Sequence, residues 1–310
     1  MADPAAPPPG AAPVPDLSDA AERAGTLRGA ALMVASMLCF AVEDAFIKTL
    51  GGRFGAAQII WMLACGGGLA FGAALLARGR SLSTPEMWRP RVLVRTAGDV
   101  FGGLCFVSAI VAIPLSTASA VIQATPLVVA LGAALFLGVR VGPRRWAAIA
   151  AGFAGVLLIL RPGADSFDPA TLLAVGGMLG LAVRDLATRG LPPSLSGVRL
   201  SFLAFAAMVP AAVAMHAVQG DSLVVPTGRD LGILGICVVI GMAGYLAVVG
   251  ATRTGDIAVV SSFRYSRVVF ALVIGALTFG ERPDATTLAG VAIIVASGLY
   301  ALRREARARA

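Results

Sequence analysis

Residues 41–48 read AVEDAFIK and residues 182–189 read AVRDLATR. The two octapeptides start 141 residues apart. Both begin Ala-Val, carry Asp at the fourth place and end on a base; at the third place an acid in one becomes a base in the other. Each lies in an otherwise apolar run. A charge near the centre of a bilayer costs roughly 2.5–3.5 kcal/mol on insertion scales. A chain that places such a motif twice, at a fixed interval, is repeating a structural unit.

The composition around these motifs is that of a membrane protein. The chain has 310 residues, 58% hydrophobic and only 14% charged, with a mean hydropathy of +0.86. A soluble domain of this size is about a quarter charged. The apolar runs are close to the ~20 residues a helix needs to cross a bilayer. They predict ten helices, at 29–50, 56–77, 92–113, 115–137 and 145–160, then 169–188, 197–218, 231–251, 257–279 and 285–302. The fold expected is an all-α integral membrane protein. Its parts are a disordered cytoplasmic tail over 1–27, five helices in each of 28–162 and 163–302, and a basic cytoplasmic tail over 303–310.

Five is odd, so two five-helix repeats in one chain insert in opposite senses. Counting Lys and Arg on alternate sides gives 16 on the side of the chain ends and 5 on the other, with Arg95, Arg184, Arg264 and Arg267 inside spans. By the positive-inside rule both termini are cytoplasmic. The net charge of +8 is therefore topological, and no nucleic-acid partner is implied. The opening stretch, rich in Ala and Pro, lacks a basic start and an apolar core, so it is not read as a signal peptide. The four cysteines, Cys39, Cys65, Cys105 and Cys237, fall in apolar spans without CxxC spacing and read as small packing residues. Neither a metal nor a cofactor is expected.

Inverted repeats are characteristic of secondary transporters, with the cargo site between the halves near the bilayer midplane. The stretch PLSTASAVIQATPLVVALGAALFL followed by AAIAAGFAGVLLILRPG, and its second copy FRYSRVVFALVIGALTFGERPD, resemble the EamA-type paired repeat of the drug/metabolite transporter superfamily. The resemblance covers nearly all of the chain after Leu27. Within that superfamily it is similar to bacterial amino-acid exporters, including the aromatic-amino-acid type. The superfamily carries a Gly-Glu-Arg turn after the fourth and ninth helices. Gly280, Glu281 and Arg282 fit it, whereas the first copy reads Gly138, Val139, Arg140 and lacks the acid.

The charged residues inside spans are the candidate machinery. Asp44 and Lys48, and likewise Asp185 and Arg189, stand at i and i+4 with the acid first, the favourable order. They read as neutralised intrahelical pairs near helix ends or as gates. Glu43 and Arg184 occupy one repeat position with opposite sign and have no i+4 partner. Two readings stand: an interhelical salt bridge with a residue such as Asp99, or contact with cargo, Glu43 with a cationic group or a proton and Arg184 with an anionic group. Arg95 is about four residues from the cytoplasmic edge and is expected to snorkel. In the ninth span Ser261, Arg264, Tyr265 and Val268 share a helical face, as Ser116, Ser119 and Gln123 do in the fourth. These faces line a cavity or bind neighbouring helices. Tyr245 is a further cavity candidate, and Pro126 should kink the fourth span. His216, alone near an outer helix end, reads as interfacial.

These features predict a secondary transporter of small polar metabolites in the bacterial inner membrane. The leading reading is an amino-acid exporter working by alternating access. A zwitterion would set its carboxylate on Arg264 or Arg184 and its ammonium on Glu43 or Asp99. A nucleotide, vitamin or sugar-derivative carrier is the alternative within the class. An intramembrane enzyme is remote, because Glu43/Asp44 is the one paired acid cluster. No P-loop is present to couple ATP. Facilitated diffusion and proton coupling both stay open, as do a monomer and a homodimer.

Overall fold

The computed structural model describes residues 17–139, 141–164, 167–189, 191–192, 195–254 and 257–309. Its helices are α1 (Leu17–Gly51), α2 (Ala56–Leu76), α3 (Pro90–Ala112), α4 (Leu115–Ile122), α5 (Thr125–Phe136), α6 (Pro143–Leu160), α7 (Thr171–Thr188), α8 (Gly197–Gln219), α9 (Gly228–Ala251), α10 (Ile257–Ser262), α11 (Ser266–Phe279) and α12 (Ala285–Arg309). Taking α4 with α5 and α10 with α11, the described residues hold ten helices long and apolar enough to span a membrane. An even number of crossings puts both ends of the described chain on one face, called here the terminal face. The other is the far face.

Two ends depart from the expectation. α1 begins at Leu17, so part of the expected N-terminal tail is helical, and residues 1–16 lie outside the described residues. α12 continues to Arg309 through the stretch expected as a C-terminal tail.

The fourth and ninth spans are both broken at mid-length. In the fourth, α4 stops at Ile122 and α5 restarts at Thr125. Pro126 explains the break, since it lacks an N–H and its ring clashes with the preceding turn. In the ninth, a 3₁₀ turn over Phe263–Tyr265 separates α10 from α11 without any proline. The Gln123 side-chain nitrogen donates to the Arg264 carbonyl at 2.8 Å and so joins the two breaks. A backbone carbonyl freed from its helix needs such a donor inside a membrane.

The two halves pack alike, as inverted repeats related by a pseudo-two-fold axis do. α3 lies against α7 through glycines: a Cβ on Gly102 would stand 2.9 Å from Leu181 N, and one on Gly180 would stand 2.5 Å from Gly102 N. α1 lies against α9 in the same way, a Cβ on Gly244 standing 3.1 Å from Cys39 Cβ and 3.1 Å from the Phe40 ring. Gly244 is Gly102 shifted by 142, and Cys39 and Phe40 are Gly180 and Leu181 shifted by 141. The interval read between the octapeptides is thus the register of the folded repeat. Small residues permit this close approach where lipid supplies no hydrophobic drive between helices.

The core is lopsided across the membrane. On the far side one continuous cluster joins most of the spans, including Ile47, Leu50, Ile110, Ile113, Leu115, Ile159, Met178, Leu234 and Ile294. On the terminal side the core splits into three separate clusters, around Leu127 and Ile149, around Met33 and Val260, and around Met87 and Leu200. The gap between them is the cavity.

Candidate functional site

A cavity of about 510 Å³ lies between the two repeats. Its lining runs from Glu43, Gln123 and Arg267 at mid-span to Thr188 and Ser201 near the helix ends of the terminal face. Its charged lining comes from both halves: Glu43, Arg95, Asp99, Arg184, Asp185, Arg264 and Arg267.

Asp44 stands just behind this lining and is 4% exposed. Its Oδ2 accepts from Arg267 Nη2 at 2.6 Å and Nε at 3.2 Å. The Arg267 guanidinium also stacks between Phe40 and Phe106, 5.4 and 5.3 Å from the ring centroids. The expected Asp44–Lys48 pair therefore does not form. Asp44 turns across to the ninth span, while Lys48 Nζ donates to the carbonyls of Ile113 at 2.6 Å and Ile110 at 3.2 Å. Those carbonyls end α3 and have no helical partner, so they compete for the lysine, and Arg267 offers the buried Asp two donors. The expected Asp185–Arg189 pair is likewise corrected. Asp185 accepts from Arg184 Nε at 2.9 Å, and Arg189 is exposed at the end of α7.

Arg184 also reaches Asp99 at 3.4 Å, the interhelical bridge that was one of its two readings. Asp99 in turn holds Arg95 at 3.3 Å, and Arg95 donates to the Leu200 carbonyl at 3.3 Å. Arg95 is buried, 9% exposed, and lines the cavity, so the snorkelling expectation fails. Helix α8 supplies the Leu200 carbonyl as an acceptor in place of the water Arg95 would meet at the interface.

The two polar faces read from the fourth and ninth spans divide in the fold. The 3₁₀ turn brings both Arg264 and Tyr265 to the cavity lining; most of the Tyr265 ring is buried, and a Cβ on Gly298 of α12 would overlap its hydroxyl. That hydroxyl has no hydrogen-bond partner among the described residues. Ser261 is not among the cavity-lining residues. In the fourth span Gln123 lines the cavity, Ser119 is fully buried, and Ser116 turns to the far face. Tyr245 is at the cavity as expected, on an aromatic wall: Phe71 stacks on Phe205 with centroids 5.7 Å apart and meets Tyr245 edge-on at 5.5 Å.

The far closure is a cluster that sequence reasoning missed. Glu281 accepts from Leu115 N at 2.6 Å, Ser116 N at 3.0 Å and Ser116 Oγ at 2.7 Å, with Lys48 Nζ 3.8 Å away. The acid satisfies the unpaired N–H groups that begin α4 and favours their positive end. Gly280, in the left-handed conformation at φ 65°, turns the chain so that Glu281 points there. The signal was present in the Gly-Glu-Arg turn, but sequence does not reveal which helix start it faces. By the repeat register the counterpart of Glu281 is Val139, so the acid occurs on the far face alone.

Two side chains of opposite sign remain in the cavity with neither a hydrogen bond nor an ion pair among the described residues: the carboxylate of Glu43 and the guanidinium of Arg264. The other charged groups of the lining are paired.

Comparison with known proteins places this architecture. The model of the EamA-like transporter family matches residues 27–161 and again 168–303. A riboflavin transporter of Rhizobium johnstonii is 30% identical over 73% of this chain and 74% of its own length. The pseudopaline exporter CntI of Pseudomonas aeruginosa is 29% identical over 86% of this chain and 93% of its own. An S-adenosylmethionine uptake transporter of Rickettsia felis is 25% identical over 91% and 95%. A solved crystal structure superposes with a TM-score of 0.58 at 22% identity, covering 90% of this chain and 98% of that one, which shows a shared fold. With two matched repeats, ten spans and a cavity between the halves, the chain is a multi-pass membrane protein that belongs to the EamA-like transporter family.

Proposed function

We propose that the protein is a secondary transporter of a small polar metabolite that carries both signs of charge, with an amino acid as the leading cargo. The unpaired Glu43 and Arg264 in an otherwise charge-paired cavity carry this reading. A zwitterion would supply one partner to each, the carboxylate to Arg264 and the cationic group toward Glu43. The terminal face is taken as cytoplasmic from the distribution of Lys and Arg. The cavity that reaches it would load from inside, and rocking of the two halves would release cargo outside. Export follows on this reading when the cargo is more concentrated inside than outside.

A second reading is favoured by the wall of Phe71, Phe205 and Tyr245. Flat aromatic surfaces suit a ring-bearing cargo. A riboflavin transporter and S-adenosylmethionine transporters among the similar proteins agree with a vitamin- or nucleotide-like carrier.

The test is a counterflow screen of the purified protein in liposomes across amino acids, amines, vitamins and nucleotides, with and without a pH gradient. A zwitterion is expected to exchange, and Arg264→Ala is expected to abolish that exchange without loss of folded protein. Normal flux in that variant would remove Arg264 from the cargo site. Exchange of ring-bearing vitamins alone would favour the second reading.

A further inference from the structure

The pseudo-two-fold relation between the halves is broken at one contact inside the cavity. In the α3–α7 interface Arg184 meets Asp99, base against acid, at 3.4 Å. Shifting these by the repeat register gives Glu43 for Arg184 and Gly241 for Asp99. The structure places those two together in the α1–α9 interface. A Cβ on Gly241 would stand 2.7 Å from Glu43 Oε1 and 3.0 Å from Oε2. The repeat therefore builds the same helix crossing twice and fills it differently. In one copy the charge from the first helix of the repeat meets a complementary side chain. In the other that charge has changed sign, and its partner has been cut back to a hydrogen atom.

The result is a carboxyl group at the cavity lining, seated against the Gly241 backbone in the space a side chain there would need. Asp44 does not fill the deficit and adds a second negative charge next to it. Arg267, the nearest base, is committed to Asp44 by two hydrogen bonds. An acid in such a site either holds a proton or, when ionised, needs a positive partner that can also donate hydrogen bonds, since an unpaired charge in a low-dielectric interior is costly. We propose that the Glu43–Gly241 contact is a subsite for a protonated amine. The cargo's amine, entering from the cavity, supplies the complementary charge that α9 lacks. This rests on the carrier reading and sharpens it, because it makes Gly241 the residue whose missing side chain lets Glu43 seat at the cavity wall without an internal partner.

Three labelled probes that share one ring separate the possibilities: phenethylamine, L-phenylalanine and 3-phenylpropanoate. In liposomes, Glu43→Gln is expected to reduce exchange of the two amine-bearing probes by about tenfold or more, the weight of one charge-assisted hydrogen bond, and to leave 3-phenylpropanoate unchanged. Gly241→Arg supplies an internal base and is expected to remove amine exchange as well. A binding readout independent of flux is labelling of Glu43 by a hydrophobic carbodiimide, mapped by mass spectrometry. Phenethylamine should protect Glu43 and 3-phenylpropanoate should not. Equal labelling with and without amine, or equal loss of all three probes in Glu43→Gln, overturns the subsite. Protection without exchange of any probe or of the wider panel overturns the carrier reading and leaves the subsite standing.

Discussion

Each acid in the first span has a different task, although they are neighbours in sequence. Asp44 is buried against Arg267, and Glu43 faces the cavity. Removing one partner of a buried pair leaves the other charge uncompensated, at a cost of about 3–5 kcal/mol, whereas replacing both is milder. Arg267→Ala should therefore destabilise the protein by that amount in a denaturant titration in detergent, and Asp44→Asn with Arg267→Gln should recover much of it. Lys48→Ala should leave Asp44 untouched. Spacing on one helix suggested Lys48 as the partner. The true partner is 223 residues away in sequence, and i,i+4 reasoning cannot see it. The same limit hid Glu281, whose acceptor role depends on which helix start lies opposite. What sequence did reveal at this scale was the mismatch between Glu43 and Arg184, because a sign reversal at a repeated position needs no coordinates.

At the scale of elements, helix ends carry much of the polar economy. Asp284 precedes α12 and accepts from Thr287 N at 2.8 Å, and its carboxylate also pairs with Arg161. Arg161 ends α6 in the left-handed conformation at φ 51°. The Arg161 guanidinium, with the Thr287 N–H, holds the Asp284 carboxyl well below the usual carboxylate range. A depressed folded-state pKa contributes stability above the ordinary carboxylate value and loses it as pH falls toward the folded one. Asp284→Asn should thus lower the unfolding midpoint modestly at pH 7, and the difference from wild type should vanish in strong acid. The ten spans were legible because apolar runs and short loops mark them. The break at Pro126 was legible too, since proline announces it. The matching break at Phe263–Tyr265 has no proline, and it keeps Arg264 and Tyr265 at the cavity while Ser261, assigned to the same face by helical periodicity, is left out of the lining. Symmetry with the fourth span was the available signal: a kink in one repeat calls for one in the other.

For the whole molecule, the lopsided core sets which side is open. The far side is one packed cluster and is tied by Glu281, while the terminal side is three clusters around an accessible cavity. Cysteines placed at Thr188 and Ser201 should react with a bulky maleimide added on the terminal face. One placed at Met178, which is 2% exposed in the far cluster, should not. Glu281→Gln should shift this balance and raise labelling at position 178. The inverted repeat itself was readable from an odd helix count per half and a constant interval, which fixed the architecture before any packing was known. Which of the two faces is closed was not readable, because an inverted repeat is neutral on that point until side chains such as Glu281 and Val139 break it.

That single asymmetry, an acid on one closure and a valine on the other, has a kinetic meaning. A carrier whose empty form favours one side presents a competent site to the other side only part of the time, and apparent affinity there falls by that fraction. A passive carrier cannot concentrate its cargo, so the ratio of maximal velocity to half-saturation must be equal in both directions. For a carrier driven by its cargo gradient alone, the far side then combines weak saturation with a high ceiling, and the terminal side tight saturation with a low one. The missing carboxylate at position 139 is in this sense a setting of the two Michaelis constants.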